Sequence, residues 1–225
     1  MDGILIVDKP QGMTSHDVVD FLRRRFHLKK VGHAGTLDPM ATGVLVMLIG
    51  ASTKSSSRFM QDDKEYEGSM TFGATSDTCD AYGVITPTGV PTDFPGERIE
   101  AVFGQFVGEI DQRPPMYAAV KVKGKKLYEL ARKGITVDVA PRRITIKDLS
   151  IQSTDLPRIF FSVTCSKGTY VRQLAVDIGE VLGCGAYLSA LRRTRSGAFS
   201  AQDACSLEEL RTVLLAELAT RLRHP

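Results

Sequence analysis

Apolar residues fill positions 4–7 between Asp2 and Asp8 and predict a short strand that ends at Lys9-Pro10. Thr14 and Ser15 can cap a helix in which Val18, Val19, Leu22 and Phe26 recur at helical spacing. Residues 32–43 hold three glycines, a proline and no period, so a loop is expected there. The unbroken apolar run at 44–49 reads as a buried strand, and 52–60 as a short helix. Over 65–72, Tyr66, Met70 and Phe72 share one face at period two, the mark of a strand. Ile99, Val102, Phe103 and Phe106 form a helical stripe, stopped by Pro114-Pro115. A strand over 118–122 and a short helix over 127–132, ending at Gly134, are expected next. Residues 144–151 and 159–165 alternate as strands. Residues 170–182 are amphipathic through Val171, Leu174, Ile178 and Val181, with Gly183 closing the helix. Ser206 and Glu209 form a capping box that opens a final helix through Leu222.

Strands and helices mix without strict alternation, which predicts an α+β fold with a central mixed, mostly antiparallel sheet and flanking helices. With 43% hydrophobic and 24% charged residues in 225, the chain can bury a core, and a mainly disordered protein is excluded. The longest charge-free apolar stretch, 41–51, is well short of the ~18 residues of a membrane helix. The N-terminus lacks the basic start and long apolar core of a secretory signal, so a cytoplasmic protein is expected. Cys79, Cys165, Cys184 and Cys205 form no C-x-x-C pair and are read as small buried hydrophobes. The histidines form no H-E-x-x-H, so no metal site is expected.

The net charge of +3 hides a segregated distribution. From 111 to 147, ten Lys/Arg stand against Asp111, Glu129 and Asp138, an excess of +7. A second basic run, Arg23-Arg24-Arg25 with Lys29 and Lys30, precedes His33, and a third is Arg192-Arg193-x-Arg195. Each run alone fits solvated surface as well as a polyanion face. Three of them favour nucleic acid, because phosphate contacts supply most sequence-independent affinity. The segment from about 112 to 147 is the natural candidate for an inserted basic subdomain.

Asp38 lies in Gly35-Thr36-Leu37-Asp38-Pro39, on the glycine-rich loop between the basic helix and the buried strand. Such a loop can carry a reacting carboxylate, but its composition alone favours a plain turn, since Asp-Pro and Gly suit turns. The loop resembles the catalytic motif of the bacterial tRNA pseudouridine(55) synthases, the B-type pseudouridine synthase family. The likeness extends to Asp8-Lys9-Pro10-Gln11-Gly12-Met13-Thr14-Ser15 and to Lys64-Glu65-Tyr66 with Phe72-Gly73-Ala74-Thr75-Ser76-Asp77-Thr78-Cys79-Asp80. It continues through Arg113-Pro114-Pro115-Met116-Tyr117-Ala118-Ala119-Val120-Lys121, Lys167-Gly168-Thr169-Tyr170-Val171-Arg172 and Leu191-Arg192-Arg193-Thr194. Several ordered motifs over about residues 3–200 are far more specific than any one pattern.

The resemblance implies the pseudouridine synthase fold over 1–225, with 112–147 as an RNA-gripping insertion. The C-terminal PUA-type domain usual in relatives is expected to be absent. The implied activity is isomerisation of the uridine at position 55 in the T loop of tRNA, which needs no cofactor and no metal. Asp38 is implied as catalytic carboxylate, Arg172 as its ion-pair partner, and Tyr66 as the ring that stacks on the target uracil. His33, Tyr170 and Leu191 are implied as substrate-binding, Lys9 and Pro10 as support beneath the loop, Asp80 as a network residue and Asp8 as structural. The expected partner is the T-arm stem-loop of tRNA, handled by a monomer without membrane or obligatory protein partner. Two other readings stay open: a non-catalytic RNA-binding module or tRNA folding chaperone, and an RNA-guided subunit of a larger particle.

Overall fold

The computed structural model describes residues 1–118, 120–122, 124–131 and 133–223. Ala119, Lys123 and Arg132, which belong to the predicted strand, basic segment and helix, lie outside the described residues, as do His224 and Pro225. The chain forms two compact units, Met1–Glu67 with Leu191–Pro225, and Gly68–Ala190.

In the first unit, β1 (Gly3–Lys9) is buried along Ile4 to Val7. It leads to α1 (Ser15–Phe26), whose cap is reciprocal: Asp17 N donates to Thr14 Oγ1 at 3.1 Å and Thr14 N to Asp17 Oδ2 at 2.7 Å. Val18, Val19, Leu22 and Phe26 are buried, as the spacing predicts. The expected loop at 32–43 is shorter than the glycines suggested. β2 (Val31–Ala34) pairs antiparallel with β3 (Thr42–Ile49), Ala34 opposite Val46 and His33 opposite Met47. The strand forms because Val31 and Ala34 bury against a fully apolar neighbour, and only 35–41 remain as loop. The expected helix at 52–60 is a 3-10 turn, Gly50–Ser55, followed by α2 (Ser56–Met60). β4 (Lys64–Phe72) leaves Tyr66 half-buried in this unit and, past Glu67, carries the chain into the second, where Met70 and Phe72 are buried.

In the second unit, β5 (Ala74–Ser76) and β6 (Ile85–Pro87) form a hairpin. α3 (Gly96–Gln105) follows, burying Ile99, Val102 and Phe103. β7 (Gly108–Gln112) pairs antiparallel with β10 (Arg142–Asp155), and β10 with β11 (Arg158–Cys165). Residues 113–141 leave after Gln112 and return at Arg142, its own register partner. They contain β8 (Lys121–Val122), β9 (Lys125–Lys126) and α4 (Leu127–Ala131). The strand expected at 118–122 is thus reduced to one arm of a two-residue hairpin, because a turn occupies 116–117 and Ala118 is buried in a local core. Residues 142–147, counted with the basic segment, are the start of β10. In α5 (Val171–Leu182), Val171, Leu174 and Ile178 are buried but Val181 is 49% exposed. Ala175, Gly179 and Leu182 complete the inner face instead, where Gly179 lets the backbone of Gly185 and Ala186 approach too closely for any Cβ.

β12 (Ala186–Ser196) follows, and from Leu191 the chain belongs to the first unit again. There it lies parallel to β3, Arg193 opposite Gly43, while β13 (Phe199–Ser200) returns along β12 and β14 (Cys205–Ser206) lies parallel to β1. The sheet is therefore mixed, β1 and β3 being antiparallel to each other while each has a parallel neighbour on its other side, and the α+β expectation holds. One core gathers Ile4, Ile6, Val44, Val46, Leu48 and Phe59. The single final helix expected from 206 to 222 is two, α6 (Leu207–Thr212) and α7 (Leu215–Arg221). The break is set from α1: Arg25 Nε donates to Arg211 O at 3.0 Å and its Nη2 to Val213 O at 2.8 Å, satisfying carbonyls that a continuing helix would use.

Candidate active site

The loop at 35–41 is anchored at successive backbone points, all within the first unit. Ser15, buried at the start of α1, accepts from Leu37 N at 2.8 Å, and its hydroxyl donates to Leu37 O at 3.2 Å. Gly12 N donates to Pro39 O at 2.8 Å, and Ala41 N to Asp38 O at 3.0 Å. Arg193 Nη2 donates to Gly35 O at 3.1 Å and its Nε to Val44 O at 2.7 Å. Leu37, Met40 and Ala41 are buried, while Asp38 between them is half-buried. The chain therefore drives its apolar residues inward and holds one carboxylate at the surface. Gly43 has to be glycine: its φ is +98°, and a Cβ would collide with the backbone of Arg193 across the β3–β12 pair.

Beneath the loop sit two buried cations. Lys9 Nζ donates to Pro10 O at 2.9 Å and to Met13 O at 2.7 Å, closing the turn whose Gly12 holds Pro39. Burial pushes the Lys9 ammonium down to about 8; the Asp38 charge opposes that shift, Arg193 adds to it, and Asp17 opposes it weakly. The charges of Lys9 and Asp38 therefore act on one another. Arg193 is 1% exposed, not surface charge as its basic run suggests. His33 is half-buried on β2 and its Nδ1 is buried with no hydrogen-bond partner among the described residues. Burial first, then the charges of Arg193 and His16, hold it below the usual histidine range, so it is neutral at pH 7. Leu191 is buried, and Asp8 receives a two-pronged bond from Arg192 at 3.0 and 2.7 Å.

Tyr66 stands half-buried on β4 in the first unit, and the second unit holds Asp80, Tyr170 and Arg172. Arg172, in the first turn of α5, is 4% exposed, so it is no surface helix charge. Nη1 donates to Thr78 O and Nη2 to Tyr117 O, each at 3.0 Å, and Nη1 lies 3.7 Å from Asp80 Oδ2. Asp80 is buried, accepting at Oδ1 from Thr78 Oγ1 at 2.7 Å and Tyr82 N at 3.0 Å. Arg172 thereby ties α5 both to the 76–83 turn and to the root of the basic segment. Tyr170 is fixed by a reciprocal pair with buried Gln112: Tyr170 N donates to Gln112 Oε1 at 2.8 Å, and Gln112 Nε2 to Tyr170 O at 3.1 Å. Its ring packs on the small core of Ala118, Leu127 and Val139. Cys79 is pushed up to about 11 by burial, so its thiol stays protonated and is not a nucleophile. Cys165 and Cys184 are the buried hydrophobes expected; Cys79 and Cys205 are partly exposed.

Within each unit the structure gathers the predicted residues: Lys9, His33 and Asp38 around Arg193 in one, Arg172, Asp80 and Tyr170 in the other. Arg193, Ser15 and Gln112 are anchors that the sequence does not identify as such: it shows Ser15 as a helix cap and Arg193 as part of a basic run. The signal for Arg193 lay in strand alternation, which puts it on the opposite face from Arg192.

Residues 23–171 match the family model described as TruB family pseudouridylate synthase, N-terminal domain. Residues 172–224 match that of the tRNA pseudouridylate synthase B C-terminal domain. The tRNA pseudouridine synthase B of Syntrophotalea carbinolica is 51% identical over 231 residues, covering 100% of this chain and 76% of that protein. That of Opitutus terrae is 46% identical over 222 residues, covering 99% and 92%. Among solved structures, a Cbf5–Nop10–Gar1 complex aligns with a TM-score of 0.73 at 32% identity over 93% of this chain. An H/ACA ribonucleoprotein bound to a substrate RNA containing 2′-deoxyuridine aligns with a TM-score of 0.71 at 30% identity. This chain spans about half the length of those two solved chains, 53% and 52%.

Proposed function

The chain belongs to the TruB family of pseudouridylate synthases, and from that premise we propose that it isomerises the uridine at position 55 in the T loop of tRNA to pseudouridine. The bond between ribose C1′ and uracil N1 breaks, the base turns, and C1′ joins C5. The C5 proton leaves and N1 gains one. No electrons are gained or lost and no group is donated, so the chemistry calls for no cofactor.

The observation that carries the reading is the half-buried Asp38, presented on a loop fixed at Gly35, Leu37 and Pro39 above the buried Lys9. Asp38 acts as nucleophile or as base. Arg172 pairs with it and keeps it ionised; its guanidinium has five donors, enough for a carboxylate besides Thr78 O and Tyr117 O. Tyr66 stacks on the target uracil, and Tyr170 and Leu191 line the rest of its pocket. Reaching the base requires its extrusion, at a cost of a few kcal/mol. His33, as a neutral ring, supports the RNA loop by stacking more than by charge. Asp80 holds Arg172 in place, and Lys9 with Pro10 supports the Asp38 loop.

In this reading the whole chain is one catalytic domain, 113–141 grips the T-arm stem, and the protein acts in the cytoplasm as a monomer without a protein partner. No helix among the described residues is long and apolar enough to cross a membrane. The test is incubation of purified chain with a tRNA transcript carrying [5-³H]uridine. Tritium release, with pseudouridine mapped to position 55, is the expected result. RNA binding without release would point to a non-catalytic module, and release only with added partners to a subunit of a larger particle.

A further inference from the structure

A cavity of about 480 Å³ opens in the first unit between the turn that follows α1 and the end of β3, and no residue of the 35–41 loop lines it. Its charge is unbalanced. Lys29, Lys30 and Lys54 line it and are exposed, and none pairs with a carboxylate among the described residues. Asp2 is the one acid in the lining, and its Oδ1 already accepts from Ala51 N at 2.6 Å. The floor is apolar, supplied by Met1, Leu28 and Ile49. The wall is preformed: Gly50 N donates to Lys30 O at 2.9 Å, and Gly50, at φ +61°, lies too close to Asp2 and to Met1 O to admit a Cβ. Three unpaired cations around a shaped hollow with an apolar floor match an anion that carries an apolar body, which describes one phosphorylated nucleoside of an RNA strand.

We propose that this cavity docks a phosphodiester of the bound RNA, with Lys29, Lys30 and Lys54 neutralising the phosphate. The attached nucleoside lies against Met1 and Leu28. The proposal rests on the RNA-modifying reading above. Lys30 lies just ahead of β2, three residues from His33 and about 10 Å away at ~3.3 Å per residue, so a bound phosphate there is within reach of a strand that also touches His33. This site lies outside the basic segment at 113–141, and it gives a role to the lysines that follow the first basic helix.

The test compares the full chain with the combined variant Lys29→Gln, Lys30→Gln and Lys54→Gln. Affinity for a tRNA transcript is measured across salt, and phosphate ethylation interference is mapped for both proteins. The expected result is a plot of log K against log salt shallower by about 0.7–0.9 for each phosphate that the variant no longer neutralises. Ethylation at one or two phosphates should weaken binding to the unaltered chain and cease to matter for the variant. An unchanged slope with an identical interference map overturns the proposal. A parallel titration with inorganic phosphate at constant ionic strength distinguishes the source of the anion. If phosphate saturates the lysine ammonium NMR signals without RNA, and the variant keeps the unaltered salt slope, the cavity takes a free anion and the RNA assignment falls. Absence of tritium release by the unaltered chain would count against the isomerase reading, while the slope comparison would still decide the cavity.

Discussion

The loop at 35–41 and the segment at 113–141 are held by opposite means. The loop is fixed by hydrogen bonds from buried groups, Ser15 and Arg193 among them, with a buried lysine beneath. The segment leaves and rejoins the sheet at one rung, Gln112 opposite Arg142, is held at its root where Arg172 donates to Tyr117 O, and is stiffened by a small core of Ala118, Leu127 and Val139 with Met116, Val120, Val137 and Tyr170 against it. Directional bonds set a position to a fraction of an ångström, and a small apolar cluster sets it loosely. A reacting carboxylate needs the first, and a grip on an RNA stem tolerates the second. Changes in the loop should therefore fall on turnover, and changes in the segment on affinity.

The largest effect should follow Asp38→Asn. Amide and carboxylate are near-isosteric, and Asp38 offers its backbone carbonyl, not its side chain, to Ala41 N. Folding and tRNA affinity should stay within a few fold while turnover falls by at least about 10³-fold, as for loss of a general base or nucleophile. Single-turnover pseudouridine formation checks it, and residual turnover near that of the unaltered chain would remove Asp38 from the chemistry.

Arg193→Met sharpens the comparison further, because it leaves the carboxylate and removes its scaffold. Gly35 O and Val44 O lose their donors in a buried site, at about 1–3 kcal/mol each. The melting temperature should fall by roughly 5–15 °C for a chain of this size. Loosening the loop by an ångström should lower kcat by about 10²-fold with a smaller change in KM. Arg193→Lys, which keeps the charge but loses the fork, should lie between. A variant that melts lower yet turns over normally would show that the loop does not depend on this anchor.

These anchors also mark where the sequence stops being readable. α1 and its Thr14–Asp17 cap, the apolar run of β3 and the β10–β11 hairpin all follow from local periodicity. β2 does not, because Gly32 and His33 gain strand geometry only from pairing with β3. The break between α6 and α7 depends on Arg25, 186 residues away from the Arg211 carbonyl it satisfies. Arg172 and Arg193 were legible as members of motifs but not as buried cations, since charged side chains are rarely buried and a basic run looks like surface. The roles assigned to Asp38 and Tyr66 came from the order of several motifs, not from composition.

Leu127→Ala tests the other half of the comparison. Leu127 is fully buried in the segment's small core, where such a truncation costs about 2–5 kcal/mol, a large loss for so small a cluster. The loss should stay local. Proteolysis within 113–141 should quicken, tRNA should protect the segment less, and KM should rise about tenfold, ~1.4 kcal/mol in affinity, while kcat changes less. A fall in kcat as large as that of Arg193→Met would break the division between the two regions.

The smallest effect concerns Asp177, on the same helix as Arg172 but outside both regions. Burial pushes its carboxyl up to about 6; a 2.7 Å bond from Gln173 Nε2 opposes the shift and Glu180 adds to it. A folded-state pKa raised above the unfolded value means stability that is full below about pH 4 and is lost as pH rises through about 6. Asp17, Asp203 and Glu209 are shifted downward by their capping bonds and act in the opposite sense: their contribution is full above their unfolded values and is lost as pH falls through the lower folded ones. The net pH profile therefore mixes both signs, and only the difference between the chain and Asp177→Asn isolates this group. That difference should be near zero at pH 4 and grow through pH 6. Above it the variant should be the more stable by about 1–2 kcal/mol, after allowance for partial exposure, or a few °C in melting temperature. Turnover should be unaffected at pH 7, since Gln173 and Asp177 are not among the groups that fix Arg172 to Thr78 O and Tyr117 O. A pH-independent difference would mean that Asp177 is ionised throughout, and a change in turnover would mean that the position of Arg172 depends on the whole of α5 and not on its first turn.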